Sequence, residues 1–145
     1  MALLSLLVRW VHVLSMALLL GGAVSVWWMF RTAPTDALGL RIAAAAAYER
    51  LFWLGLGLLV ATGVGNLGAM APAIPTSGPW AEMFVGKLGL VIVLVVLSLG
   101  RSLGLNRVQS GSRSVRRVRP IRHAYAMTAI LLVGIVAVAE VLAHG

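Results

Sequence analysis

One hydrophilic stretch decides how this chain is arranged: Arg101–Arg122, which reads RSLGLNRVQSGSRSVRRVRPIR and holds seven of the twelve Lys and Arg residues. The rest of the chain is compatible with lipid, since 61% of its 145 residues are hydrophobic and 11% are charged. Cytoplasmic loops of membrane proteins carry an excess of Lys and Arg, because these residues are costly to move across the bilayer and favour its anionic inner leaflet. We therefore predict a basic cytoplasmic loop at residues 101–122.

Four apolar segments surround this loop, at about residues 3–30, 42–70, 80–100 and 123–142. Each approaches or exceeds the roughly 20 residues that cross a bilayer as a helix. Pro34 interrupts the chain after the first segment, and three prolines follow the second, where a helix cannot continue. The prediction is one all-α domain, residues 1–145, that forms an integral membrane bundle of four transmembrane helices.

The charge distribution also predicts sidedness. If the loop at 101–122 is cytoplasmic, four spans place both termini outside. Three further arginines then join the cytoplasmic side, whereas Arg9 and Lys87 fall in the outer half. The three are Arg31, Arg41 and Arg50. We expect a multi-pass protein of the inner (plasma) membrane, with the lipid bilayer as its surroundings.

Composition excludes several classes of function. The net charge of +8 comes from arginines between lipophilic segments, without the fold of a nucleic-acid-binding module, so we expect no nucleic acid partner. The chain has no cysteine, which excludes disulfides, iron–sulfur clusters and thiolate copper sites. It also lacks a paired-carboxylate motif, a nucleophile triad and a phosphate-binding loop. This pattern favours a transporter or metal-binding protein over an enzyme.

Ionisable groups are costly inside a membrane, so those in the outer half predict a site. His12 and Met16 are four residues apart and share a helix face, as do Met83 and Lys87. Imidazole and thioether are the copper ligands available when thiolate is absent. We predict an outward-facing copper site built on His12 with four candidate co-ligands: Met16, Met83, Glu140 and His144.

Simpler roles are available to the same side chains. A membrane histidine commonly hydrogen-bonds across helices, and methionines fill apolar cores. Lys87 and Glu140 would then pair with each other, and Glu49 with Arg50 would anchor the inner boundary. The glycines of the spans are expected to allow close helix packing.

A haem with two histidine ligands does not fit one copy of the chain. His12 and His123 differ in depth by roughly 15–25 Å at 1.5 Å rise per residue, whereas both axial ligands of a b-type haem lie at one depth. His12 and His144 are closer in depth but still offset, so haem b would require one histidine with a methionine or an open coordination position, or a dimer.

Three segments resemble one known family. RWVHVLSMALLLGGAV (9–24), YERLFWLGLGLLVATGVGNLG (48–68) and GPWAEMFVGKLGLVIVLVVLSLGRSLGLNR (78–107) are similar to the membrane domain of the copper resistance protein D (CopD) family. The resemblance implies an inner-membrane bundle for copper uptake or tolerance. It singles out His12, the Thr62-Gly63 turn of helix two, Lys87 and Asn106-Arg107. Many members have a larger bundle, so we expect a homodimer or a larger membrane partner if ions cross.

Two alternatives stay open. His12 and Lys87 also resemble the helix-one His and helix-three Lys of HemJ-type protoporphyrinogen oxidases, which would imply a haem-b oxidoreductase. The basic third loop and fourth helix lack the polar, aromatic motifs of that family. The other alternative is an accessory subunit of a larger membrane complex, with the glycine face at Gly21 and Gly22 as its interface.

Overall fold

A computed structural model of the chain describes residues 2–70, 75–110 and 118–144, and these form four long helices. A short 3₁₀ turn at Thr35–Ala37 precedes the second helix. Each helix is long and apolar enough to cross a membrane. The predicted all-α bundle of four spanning helices is therefore confirmed. The helices are α1 (Ala2–Thr32), α2 (Leu38–Met70), α3 (Pro79–Ser110) and α4 (Val118–His144).

Long helices are the expected form of these segments, because a lipid environment offers no partner for an unpaired backbone amide or carbonyl. Their outward faces carry large apolar side chains, among them Leu18, Leu54 and Val85, with 72%, 69% and 66% of their surface exposed. The start of α3 follows helix-initiation rules: Pro79 occupies its first position, and Gly78 precedes it with φ +86°.

The predicted loop at 101–122 is wrong at both ends. α3 continues ten residues past Gly100 to Ser110, and α4 already begins at Val118. The reason is that the inward stripe of α3 keeps its helical spacing beyond Gly100 and buries Leu105 and Val108. Only residues 111–117 of the predicted loop lie outside the described chain.

The helices pack unevenly around the bundle. α1 lies along α2 on one side and along α4 on the other, and α3 lies along α4. α2 and α3 make few contacts with each other, so one seam of the bundle is only loosely closed. We call the end where α1 and α3 begin the His12 end, and the opposite end, where α2 and α4 begin, the arginine end.

Two glycines permit the close approach of α1 and α2. A Cβ on Gly22 would lie 2.5 Å from the Tyr48 ring, and one on Gly55 would lie 2.9 Å from Leu19. The Tyr48 hydroxyl donates to the Leu19 carbonyl oxygen at 2.8 Å and reinforces this contact. The predicted packing role is confirmed for these two glycines. Because Gly22 already faces α2, it does not belong to an outward interface; a Cβ on Gly21 would meet nothing within 4 Å.

Candidate functional site

His12 is held by a residue of the second helix. Its Nδ1 lies 2.7 Å from the hydroxyl oxygen of Thr62, and both side chains are half-buried at the His12 end. A Cβ on Gly63 would lie 3.8 Å from His12 Cε1, so the ring rests against the Thr62-Gly63 segment. The segment lies within α2, which runs without interruption through it.

The hydrogen bonds of Thr62 bear on which nitrogen of His12 carries the proton. The Thr62 hydroxyl has one hydrogen, and the Leu58 carbonyl oxygen of its own helix lies 2.6 Å away. With that hydrogen donated to Leu58, the hydroxyl oxygen accepts from Nδ1 of His12, and we assign the proton of the neutral ring to Nδ1. Nε2 is left with its lone pair, which is the donor that metal ions and haem iron use.

Lys87 belongs to the same site. It lies on α3, half-buried, close enough to His12 for its charge to act on the imidazole. The structure thus brings together one imidazole from α1, one hydroxyl from α2 and one ammonium group from α3. A cation bound at Nε2 would be repelled by this ammonium group, and an anionic group would be attracted to it.

The predicted co-ligands occupy different environments. Met16 is half-buried against the apolar core one turn from His12, and Met83 is half-buried one turn from Lys87. Glu140 is exposed on the last turns of α4. His144 is the last residue of α4, and its side chain lies outside the description. Within residues 2–70, 75–110 and 118–144, no group of three or more His, Asp or Glu residues is placed to hold a metal ion.

A second polar cluster lies at the arginine end and joins three helices. Arg101 of α3 is buried, and its Nε donates to Glu49 Oε1 of α2 at 2.7 Å. Nη2 of the same guanidinium donates to Glu49 Oε2 at 3.3 Å, and Nη1 donates to the hydroxyl of Thr128 on α4 at 2.5 Å. We call Glu49, Arg101 and their hydrogen-bond partners the latch.

The Glu49 carboxylate is saturated with donors. Besides two bonds from Arg101, it accepts a hydrogen bond from the Tyr125 hydroxyl at 2.7 Å and one from Ser102. Two carboxylate oxygens offer about four acceptor positions, and all are used. The carboxylate is therefore held in one position by donors from two other helices, α3 and α4.

Aromatic rings complete the surroundings of the guanidinium. Cζ of Arg101 lies 4.5 Å from the ring centre of Phe52, 4.8 Å from that of Tyr125 and 5.4 Å from that of Tyr48. A cation is attracted to the electron-rich face of such rings, and the attraction is larger where water is excluded. The rings therefore help to offset the cost of burying this arginine.

The latch corrects two sequence predictions. Glu49 does not form an anchoring pair with Arg50, which is exposed, and Arg101 is not a loop residue. A signal for Arg101 was present: together with Leu94, Ser98, Leu105 and Val108 it continues the helical spacing of the buried face. Nothing in the local sequence pairs it with a carboxylate 52 residues away.

Comparison with protein-family models, with curated proteins and with solved structures finds no match for this chain. The resemblance to the CopD family, and the weaker one to HemJ-type oxidases, therefore stay predictions. The functional assignment depends on the two clusters themselves.

Proposed function

We propose that this chain is a copper-handling membrane protein that receives the metal at Nε2 of His12. The observation that supports this most directly is the hydrogen bond from His12 Nδ1 to Thr62. Histidine ligands of metals commonly donate their other ring N–H to an acceptor, which fixes the ring orientation and raises the basicity of the ligating nitrogen. Thr62 provides such an acceptor at 2.7 Å.

The chemistry of the available donors favours copper among the transition metals. With no cysteine in the chain, the soft ligands are thioethers, and those of Met16 and Met83 are half-buried at the same end as His12. Thioether and imidazole together suit Cu(I). One copy supplies few strong donors, so we propose that a homodimer or a larger membrane partner completes the site.

The proposed orientation places the copper site at the outer face of the inner membrane. Four arginines whose side chains are exposed lie at the arginine end, and this excess favours the cytoplasm. Both termini and His12 would then lie on the outer side, where external copper arrives. The four are Arg31, Arg50, Arg107 and Arg119.

Lys87 favours a second candidate, a haem-b protein resembling the HemJ-type oxidases. One neutral imidazole and one ammonium group at the same end match a ligand with a single iron and anionic propionates. In this case His12 would supply an axial nitrogen and Lys87 would pair with a propionate. Haem would bring redox chemistry to the site, and the oxidation of a tetrapyrrole is the reaction that this resemblance implies.

An absorption spectrum combined with elemental analysis of the purified protein tests the proposal. Stoichiometric copper without a Soret band supports copper handling, and a Soret band with iron supports haem. His12→Ala should weaken the binding of added Cu(I) by tens of fold or more. Unchanged affinity in this variant would contradict the proposal.

Lys87→Met separates the two candidates, because they make opposite demands on this charge. Like charges at one site repel each other, so removing the ammonium group should tighten Cu(I) binding. The same substitution should weaken the binding of haem. Arg9→Met is the matched control, because Arg9 lies at the same end but is exposed.

A further inference from the structure

The loosely closed seam between α2 and α3 is fastened at one end only. In the described part of the chain, the hydrogen bonds that join these two helices all lie at the arginine end. They are the bonds of Glu49 with Arg101 and Ser102, and the bond from Trp53 Nε1 to Ser102 at 3.1 Å. Beyond them, the two helices contact each other little.

At the His12 end each of these helices is held by a different neighbour. α2 stays against α1, through the bond between Thr62 and His12 and through Gly65, whose Cβ would lie 3.9 Å from Val8. α3 stays against α4, where Trp80 Nε1 donates to the Leu142 carbonyl oxygen at 3.3 Å. The helices on the two sides of the seam are therefore held by different neighbours at this end, and they are connected through the packing of α1 on α4.

The latch is strong enough to act as the fixed end. It contains a buried ion pair whose carboxylate has all its acceptor positions occupied and whose guanidinium contacts three rings. Its distance from Thr62 along α2 is 13 residues, or about 20 Å. Over this length, a small change in the angle between α2 and α3 at the latch produces a larger separation of the two helices at the depth of His12.

We propose that the seam between α2 and α3 is a lateral gate, hinged at the latch, which opens the His12 and Lys87 site to the lipid of the adjacent leaflet. The half-burial of His12, Thr62 and Lys87, which lie within the spans, agrees with an approach between helices. Packed helices at such seams move as rigid elements about a fixed contact. The gate gives a molecule dissolved in the membrane access to the site, beside the aqueous approach proposed for copper.

Distance measurements between paired spin labels test the hinge, and the chain is naturally free of cysteine. Labels at Val64 and Val85 span the seam at the His12 end, and labels at Leu51 and Leu99 span it near the latch; all four side chains are exposed. Val13 and Val60 form the control pair across the tightly packed α1 and α2. We expect a broad distance distribution for the pair at Val64 and Val85 only. Arg101→Met should also broaden the distribution for the pair at Leu51 and Leu99. A first pair as narrow as the control would overturn the hinge.

Accessibility of a label beside His12 tests the entrance. Gly63→Cys fits without collision, since its Cβ would make an ordinary contact of 3.8 Å with the ring, and Gly57→Cys is an exposed control. We expect a nitroxide attached to either thiol to be relaxed more strongly by dissolved oxygen, which collects in lipid, than by a water-soluble nickel chelate. A nitroxide at residue 63 that is relaxed more strongly by the nickel chelate, or by neither agent, would overturn the lateral entrance. Neither test depends on which ligand His12 binds.

Discussion

Breaking the ion pair between Glu49 and Arg101 should strongly lower the free energy of unfolding, because both charges are buried. The Arg101 side chain is 0% exposed and that of Glu49 is 11% exposed. Glu49→Gln leaves a buried guanidinium without a counter-charge, and removal of one partner from such a pair costs about 3–5 kcal/mol. Arg101→Met leaves the Glu49 carboxylate without a counter-charge, so we expect the free energy of unfolding to fall by a similar amount.

The double variant Glu49→Leu/Arg101→Met gives the decisive comparison. Replacing both members of a buried pair by apolar side chains is often close to neutral. Here the hydroxyls of Tyr125 and Ser102 lose their acceptor, and the loss at the buried Tyr125 costs about 1–3 kcal/mol, whereas Ser102 is only half-buried and Thr128 keeps its bond to the Ala124 carbonyl oxygen. We expect the double variant to be less destabilised than either single variant.

Reversible unfolding in mixed detergent micelles would measure these free energies. Arg50→Met is the matched control, because Arg50 is the exposed neighbour of Glu49 and its replacement should change the free energy of unfolding by no more than about 0.5 kcal/mol. If the double variant lost as much free energy of unfolding as the two single variants together, the ion pair would be refuted as the source of stability. An Arg101→Met variant as stable as the control would refute it too.

Three further predictions follow from single contacts. Tyr125→Phe removes one donor from Glu49 but keeps the stacking with Phe30, so the free energy of unfolding should fall by about 1.5–3 kcal/mol in the same assay, and an unchanged value would contradict the bond. Gly22→Ala should destabilise by about 1–3 kcal/mol because its Cβ would meet the Tyr48 ring at 2.5 Å, whereas Gly21→Ala, with nothing within 4 Å, should not; equal effects would argue against this packing. Thr62→Val removes the acceptor for His12 Nδ1 and should weaken the binding of copper or haem by about 10- to 100-fold, measured by titration, while the unfolding transition stays cooperative. Full affinity in that variant would exclude Thr62 as the residue that orients His12.

The His12 site was partly predictable from residue type and depth. Histidine and lysine are rare in membrane spans, and the turn signals between the spans place His12 and Lys87 at the same end of the bundle. The orientation of the ring was not predictable, because it depends on Thr62, which is 50 residues away. The glycines show the same limit: Gly21 and Gly22 are neighbours in sequence, but only Gly22 faces an aromatic ring of α2.

Sequence alone determined the class of this protein, the number of its spans and the end at which positive charge collects, because these properties depend on how hydrophobicity and charge are distributed along the chain. The tertiary structure decided what individual charges do. Arg101 follows an apolar segment and resembles the loop arginines after it, yet it is buried against Glu49 because the face of α3 continues inward and α2 presents a carboxylate at the same depth. Such pairing depends on which helices become neighbours, and local composition does not carry that information.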